Sequence, residues 1–138
     1  MDKTNCPCQS GKLFSHCCQG FLSGEKRAPT PSKLMRSRFS AFSLGGYGGY
    51  LLSTWHPDYR GQLDEQELSI RSTDWQGLEV INSTQQGSTA TVEFIASFNN
   101  IDGSRGTHHE VSNFVRVQGR WLYSDGTVLF NSDANDER

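Results

Sequence analysis

Four cysteines fall between positions 6 and 18, as Cys6-Pro7-Cys8 and Cys17-Cys18, and the 120 residues after them hold none. Disulfides that staple a fold constrain large loops, and sulfurs crowded into one short segment cannot do that. Adjacent cysteines bridge only with strain, because the geometry wants Cα atoms about 4.4–6.8 Å apart. A tetrahedral thiolate metal site is the better account, with two ligand pairs and a turn that returns the chain to the ion. Ser10-Gly11-Lys12 supplies the turn, since glycine permits positive φ and successive N–H groups can point at sulfur. Four thiolates on a divalent ion leave a formal charge of −2, which Lys12 and those amides offset, while Leu13 and Phe14 cover one side. His16 is an alternative ligand, but Cys6, Cys8, Cys17 and Cys18 already complete the set, and His16 reads as solvent-facing. One structural Zn²⁺ is the expected cofactor, and all-thiolate sites also accept iron.

A second group of residues could do acid–base chemistry: Trp55, His56, Asp58, Tyr59, Trp75, His108, His109, Glu110 and Asn113. A histidine beside a carboxylate is the usual pair for such work. His108 and His109 are neighbours on a strand and point to opposite faces, so only one can enter a pocket. The expected lining is Trp55, His56, Trp75, His109 and Asn113. His56-Pro57-Asp58 also reads as a turn with a side chain capping backbone groups. No nucleophile elbow, phosphate-binding glycine loop or metal-hydrolase histidine pair is present, so no catalytic residue is assigned. Arg36 and Arg38 read as helix-surface cations or as a guanidinium bonding backbone in a helix–sheet seam. The sharper alternative is an anion or partner site beside the metal head.

The elements that must position these residues follow from pattern. Thr30-Pro31 is a cap followed by Pro at the first helical position, and Leu34, Met35, Phe39 and Phe42 recur at helical spacing, so residues 31–44 form a helix closed by Gly45-Gly46. Tyr50, Leu51 and Trp55 suggest a short second helix ending near His56, and Asp64 with Glu67 resembles a capping box for a third over 64–71. From residue 76 the period changes to two. Leu78 and Val80 alternate with Glu79 and Ile81, a turn follows at 86–88, and Ala90, Val92, Phe94, Ala96 and Phe98 share one face of a strand. His109, Val111, Asn113, Val115 and Val117 share a face of the next strand, opposite His108, Glu110, Phe114 and Arg116. Gln118-Gly119 and Asp125-Gly126 read as further turns. The fold class is therefore α+β, helices packed on a curved antiparallel sheet, with a small amino-terminal metal-binding knuckle. Its parts are a knuckle at 1–20, a linker at 21–30, a body at 31–130 and a fraying tail at 131–138. The knuckle, with little core of its own, is expected to melt on chelation while the body stays folded.

Composition narrows the function classes. With 138 residues, 34% hydrophobic and 20% charged, the chain can bury about two-thirds of its unfolded surface without staples. No window approaches a membrane span of about 20 apolar residues, and the start MDKTNCPCQSGK has no apolar signal region, so the cytoplasm is the expected compartment. The formal net charge of −2 hides an asymmetry: residues 1–44 sum to +5 and residues 45–138 to −7. A basic head on an acidic body suits an electrostatic partner, and Lys12, Lys26 and Arg27 are the candidate contacts. No long basic run suggests a dedicated nucleic-acid arm.

Two resemblances add to this. Cys6-Pro-Cys-Gln-Ser-Gly-Lys-Leu-Phe-Ser-His-Cys-Cys18 resembles the SEC-C motif, which closes the SecA translocase motor and recurs in small bacterial proteins. That likeness implies a zinc site and a protein partner, an export chaperone such as SecB or ribosome-associated nascent-chain machinery. Leu34–Phe42, Tyr50-Leu-Leu52, Thr54-Trp-His-Pro57, Trp75-Gln-Gly-Leu78 and Gly119–Gly126 are similar to the bacterial YchJ family, over about residues 4–127. That resemblance implies an NTF2-like (nuclear transport factor two, cystatin-like) cone. Many members carry a second SEC-C motif at the carboxyl end, where this chain has acidic residues.

Two functions are then in play. The leading one is a zinc-binding adaptor, read as a docking protein and not as an enzyme, that engages a partner through its head. The other is a small enzyme or ligand-binding cone whose metal head is structural. A filled cone favours the first, and a deep pocket joining a histidine to a carboxylate favours the second.

Overall fold

The computed structural model describes residues 4–132. Thr30 Oγ1 accepts a hydrogen bond from the Lys33 amide at 3.1 Å and Pro31 occupies the first turn, so helix α2 (Pro31–Leu44) starts where its cap dictates. Before it lie a single 3₁₀ turn (Phe14–His16) and the short α1 (Gln19–Leu22). After it come α3 (Gly48–Ser53) and α4 (Glu65–Ser69), the latter opened by a complete capping box between Asp64 and Glu67. The segment read as a linker begins inside α1, and Leu22 is buried with Ala41, Leu51 and Leu68.

Four strands follow as a meander: β1 (Asp74–Gln86), β2 (Thr89–Asn99), β3 (Arg105–Val117) and β4 (Arg120–Ser132), each antiparallel to the next. The even-numbered residues of β2 from Ala90 to Phe98 are all buried, as the alternation predicts. Register shifts in β1 at Trp75/Gly77 and Val80/Asn82, and between β3 and β4 at two places, bend the sheet around α2. Leu34, Met35 and Phe39 of α2 close the core against Leu78, Val92, Phe94, Phe114 and Trp121. Residues 54–56 add a short parallel bridge to β4, with Tyr123 N donating to Thr54 O and His56 N to Tyr123 O. Among the described residues no helix is long and apolar enough to cross a membrane.

Two expectations are corrected. Asp125-Gly126 is not a turn, because β4 runs straight through it. Gly126 sits opposite Ser112 in the ladder, and a Cβ there would collide with Oε2 of Glu110, so the glycine serves a close approach and not a reversal. Strand β4 also runs into the segment read as a tail. Asn131 and Ser132 pair with His108 and Thr107, and residues 133–138 lie outside the described residues.

Gly48 packs under α4, where a Cβ would meet the Glu65 carbonyl and Ser69 Oγ. Gly48→Ala should therefore destabilise the protein by about 1–3 kcal/mol through overpacking, read as a lower denaturant midpoint at unchanged slope.

Candidate functional site

The knuckle is a small hairpin closed by a returning turn. Asn5 pairs with Leu13, Cys6 N donates to Lys12 O at 2.9 Å, and Gln9 (φ 63°) and Gly11 (φ 88°) take the left-handed positions that reverse the chain. The 3₁₀ turn then brings Cys17 and Cys18 back beside Cys6 and Cys8. All four sulfurs lie within 4.8 Å of one another, with Cys8–Cys17 at 3.7 Å and Cys17–Cys18 at 4.0 Å. Metal–sulfur bonds of about 2.3 Å give a tetrahedron with edges of about 3.8 Å, so the donor set fits a single ion. Disulfides would need sulfurs about 2.05 Å apart, and all four cysteines are free. Hydrogen bonding from Cys18 and Cys8 holds the Cys6 thiol well down, and the contact with Cys6 drives Cys18 up. Ser10 Oγ, 3.2 Å from Cys17 Sγ, and Ser40 Oγ, 3.6 Å from Cys6 Sγ, stand as second neighbours of the sulfurs. His16 is exposed and outside the cluster.

The knuckle is not an appendage. Cys6, Cys8 and Cys18 belong to the same buried cluster as Leu34, Met35 and Phe39. Arg36 Nη1 donates to Cys8 O at 2.7 Å, and Gln9 Nε2 reaches Gln76 O on β1 at 3.2 Å. The expectation that the knuckle melts alone therefore gives way. Its sulfurs are part of the body's own core.

On another side of α2 the cone is open. A cavity of about 1160 Å³ lies between α2, the sheet and residues 71–75. Its floor holds a histidine joined to a carboxylate, His108 Nε2 lying 2.8 Å from Glu110 Oε1. Glu110 also accepts from Ser112 Oγ at 2.8 Å and Tyr123 OH at 3.4 Å. Burial alone would raise Glu110, but the bonds from His108 and Ser112 outweigh it and hold the carboxyl below its ordinary value. An ionised carboxylate only accepts, so His108 donates from Nε2 and leaves Nδ1 as the other ring nitrogen. Trp75 and Phe94 flank the His108 ring at 6.4 and 6.1 Å. On the helix side stands Arg38, buried, its Nη1 donating to Leu51 O at 2.8 Å and Thr54 Oγ1 at 2.7 Å. Burial pulls Arg38 down to about 10, and burial, with the nearby Glu110 charge, pushes Tyr123 up.

Of the residues expected to line a pocket, Trp55 and Trp75 do, whereas His56, His109 and Asn113 do not. His109 pairs with Glu93 at 2.7 Å and Asn113 Nδ2 with Asp125 Oδ1 at 3.0 Å, both on the outer face. His56 accepts from the Asp58 amide at 3.1 Å and closes a turn. The valines of β3 favoured the wrong face. Register decides it: Ala96 pairs with His108 and Phe94 with Glu110, so the buried side of β2 carries His108 and Glu110 with it. Counting the residues between Asn99 and Arg105 carries that parity. The same parity places Ser112 inward opposite Val92, whereas Tyr123 had no such signal. Lys12, Lys26 and Arg27 are exposed, and Lys3 lies outside the described residues.

A cone of this kind with a four-cysteine knuckle is an NTF2-like domain preceded by a SEC-C motif, and the comparisons agree. Residues 30–126 match the YchJ middle NTF2-like domain and residues 4–20 the SEC-C motif. A UPF0225 protein of Geobacter sulfurreducens is 39% identical over 126 residues, covering 88% of this chain and 77% of its own length. Another from Streptomyces coelicolor is 41% identical over 128 residues, covering 90% and 95%. The solution structure of a SEC-C motif containing protein from Rhodopseudomonas palustris superposes with a TM-score of 0.81 at 37% identity, over 92% of this chain and all of that one. The chain belongs to the YchJ (UPF0225) family.

Two outcomes are expected. Chelation, or Cys8→Ser, should lower the melting temperature of the whole chain and strip hydrogen-exchange protection from α2 as well as from the knuckle. Protection confined to its original level in α2 would contradict the shared core. For Glu110, a depressed folded value means stability that is complete above the ordinary 4.5 and is lost as pH falls through the lowered value. Glu110→Gln should cost about 1–2 kcal/mol at pH 7 and flatten the acid limb of a melting-temperature profile taken from pH 7 to 3.

Proposed function

We propose that this protein binds a small organic molecule in the cone cavity, and that one Zn²⁺ on Cys6, Cys8, Cys17 and Cys18 is a structural staple for the helix forming the cavity wall. The observation that carries this reading is the open cavity itself, with His108 and Glu110 joined on its floor, where a domain built only for display would fill the space. The donor chemistry supports zinc: four closely set sulfurs, three of them buried, leave no position for water or substrate, as in closed structural sites. The polar floor can hold and orient a ligand and exchange a proton with it through the His108–Glu110 pair.

Docking of a protein partner by the knuckle stands second. Lys12, Lys26 and Arg27 are exposed and form no ion pair among the described residues, which favours an acidic surface, and the SEC-C likeness favours an export chaperone or nascent-chain machinery.

The test is a small-molecule screen by NMR on metal-loaded, isotope-labelled protein. Binders should shift the indole N–H signals of Trp55 and Trp75 and the amide of His108. If no compound moves these signals while purified chaperone moves Lys12, Lys26 and Arg27, the ligand reading is wrong and the docking reading replaces it.

A further inference from the structure

Arg38 is a buried cation, 4% exposed, that forms no direct ion pair among the described residues. The acid close enough to act on it, Glu110, is already bonded to His108, Ser112 and Tyr123. Leaving a guanidinium in such a place is costly unless something compensates it. Part of the compensation is visible: the guanidinium lies against Trp55 at 5.0 Å and Tyr123 at 4.7 Å, and Nη1 is spent on Leu51 O and Thr54 Oγ1.

The remainder is not. Nε and Nη2 bond no described residue, yet among the described residues no fully buried side-chain nitrogen or oxygen lacks a partner. Those two nitrogens therefore open onto the cavity that Arg38 lines. They share the outer edge of the guanidinium, the edge that matches the two oxygens of a carboxylate. The walls beside that edge are flat and apolar, made by Phe39, Phe42, Trp55, Trp75, Phe94 and Phe98. A cavity of about 1160 Å³ is far larger than an inorganic anion needs.

We propose that the cavity takes an aromatic carboxylic acid, its carboxylate held side-on by Nε and Nη2 of Arg38 and its ring stacked among the aromatic walls. This rests on the reading of the cavity as a ligand site and adds the chemical class of the ligand.

The probe pair is 2-naphthoate and 2-naphthylmethanol, which share a ring and differ in the acid, titrated into metal-loaded protein at pH 7.5 and followed by tryptophan fluorescence and NMR. Naphthoate should bind one to one, about tenfold or more tighter than the alcohol, and should shift the Arg38 Nε–H signal of the unmodified protein. Arg38→Lys and Arg38→Met should erase the preference, bringing naphthoate to the affinity that the same variant shows for the alcohol. Should these variants fail to fold, the Arg38 Nε–H signal in the wild type decides alone. Equal binding of the two probes, or a preference for the acid that survives in both variants or leaves Arg38 Nε–H unmoved, overturns the carboxylate inference and leaves the cavity reading intact. Failure of both probes to shift any cavity signal at millimolar concentration removes both.

Discussion

Helix α2 is shared between two chemistries. One side of it meets the sulfur cluster, through Ser40 at Cys6 and Arg36 at the Cys8 carbonyl, and another sends Met35, Arg38, Phe39 and Phe42 into the cavity. A helix of fourteen residues has little stability of its own in water, and its position comes from what it packs against. Here it packs against the sheet and against buried cysteines at once. The sulfurs occupy places that aliphatic side chains would fill in a larger core, so the geometry of the four-sulfur cluster and the apolar packing of Leu34, Met35 and Phe39 are one structural quantity.

The same economy appears in the polar interior. Thr54 accepts from Arg38 while its hydroxyl bonds back to Tyr50 O, Ser37 bonds Leu34 O and Tyr50, and Ser112 serves Glu110. Among the described residues each fully buried polar side-chain atom is answered, which is how a chain with only 34% hydrophobic residues keeps polar groups inside without losing the fold. Tyr123 joins the two halves of this network, its ring under Arg38 and its hydroxyl on Glu110.

Much of this was legible in the residues. The cap at Thr30, the box at Asp64 and Glu67, and the alternation from Ala90 to Phe98 are local signals with local causes, and each appears where its spacing puts it. The cysteine cluster was legible for the same reason. Long-range facts were not. The inward face of β3 depends on its pairing with β2, and a run of valines at 111, 115 and 117 outvoted the register. Gly126 looked like a turn because a glycine after an aspartate commonly is one, yet its small size serves a carboxylate arriving from the neighbouring strand. For Arg38 the sequence left a surface cation and a guanidinium bonding backbone both open. The second holds because the chain segment at 51–55 folds over its flank, which helix periodicity does not reveal.

The order of these parts along the chain has a consequence for biosynthesis. The cysteines precede α2, and α2 precedes every strand, so during synthesis the thiols emerge before anything that buries them. The meander then forms from neighbouring hairpins, a local and comparatively fast pairing. Until that happens the nascent knuckle holds reduced sulfur open to oxidants and to competing metals. Between translating Cys18 and completing β4 the four thiols lack the core in which three of them end up buried.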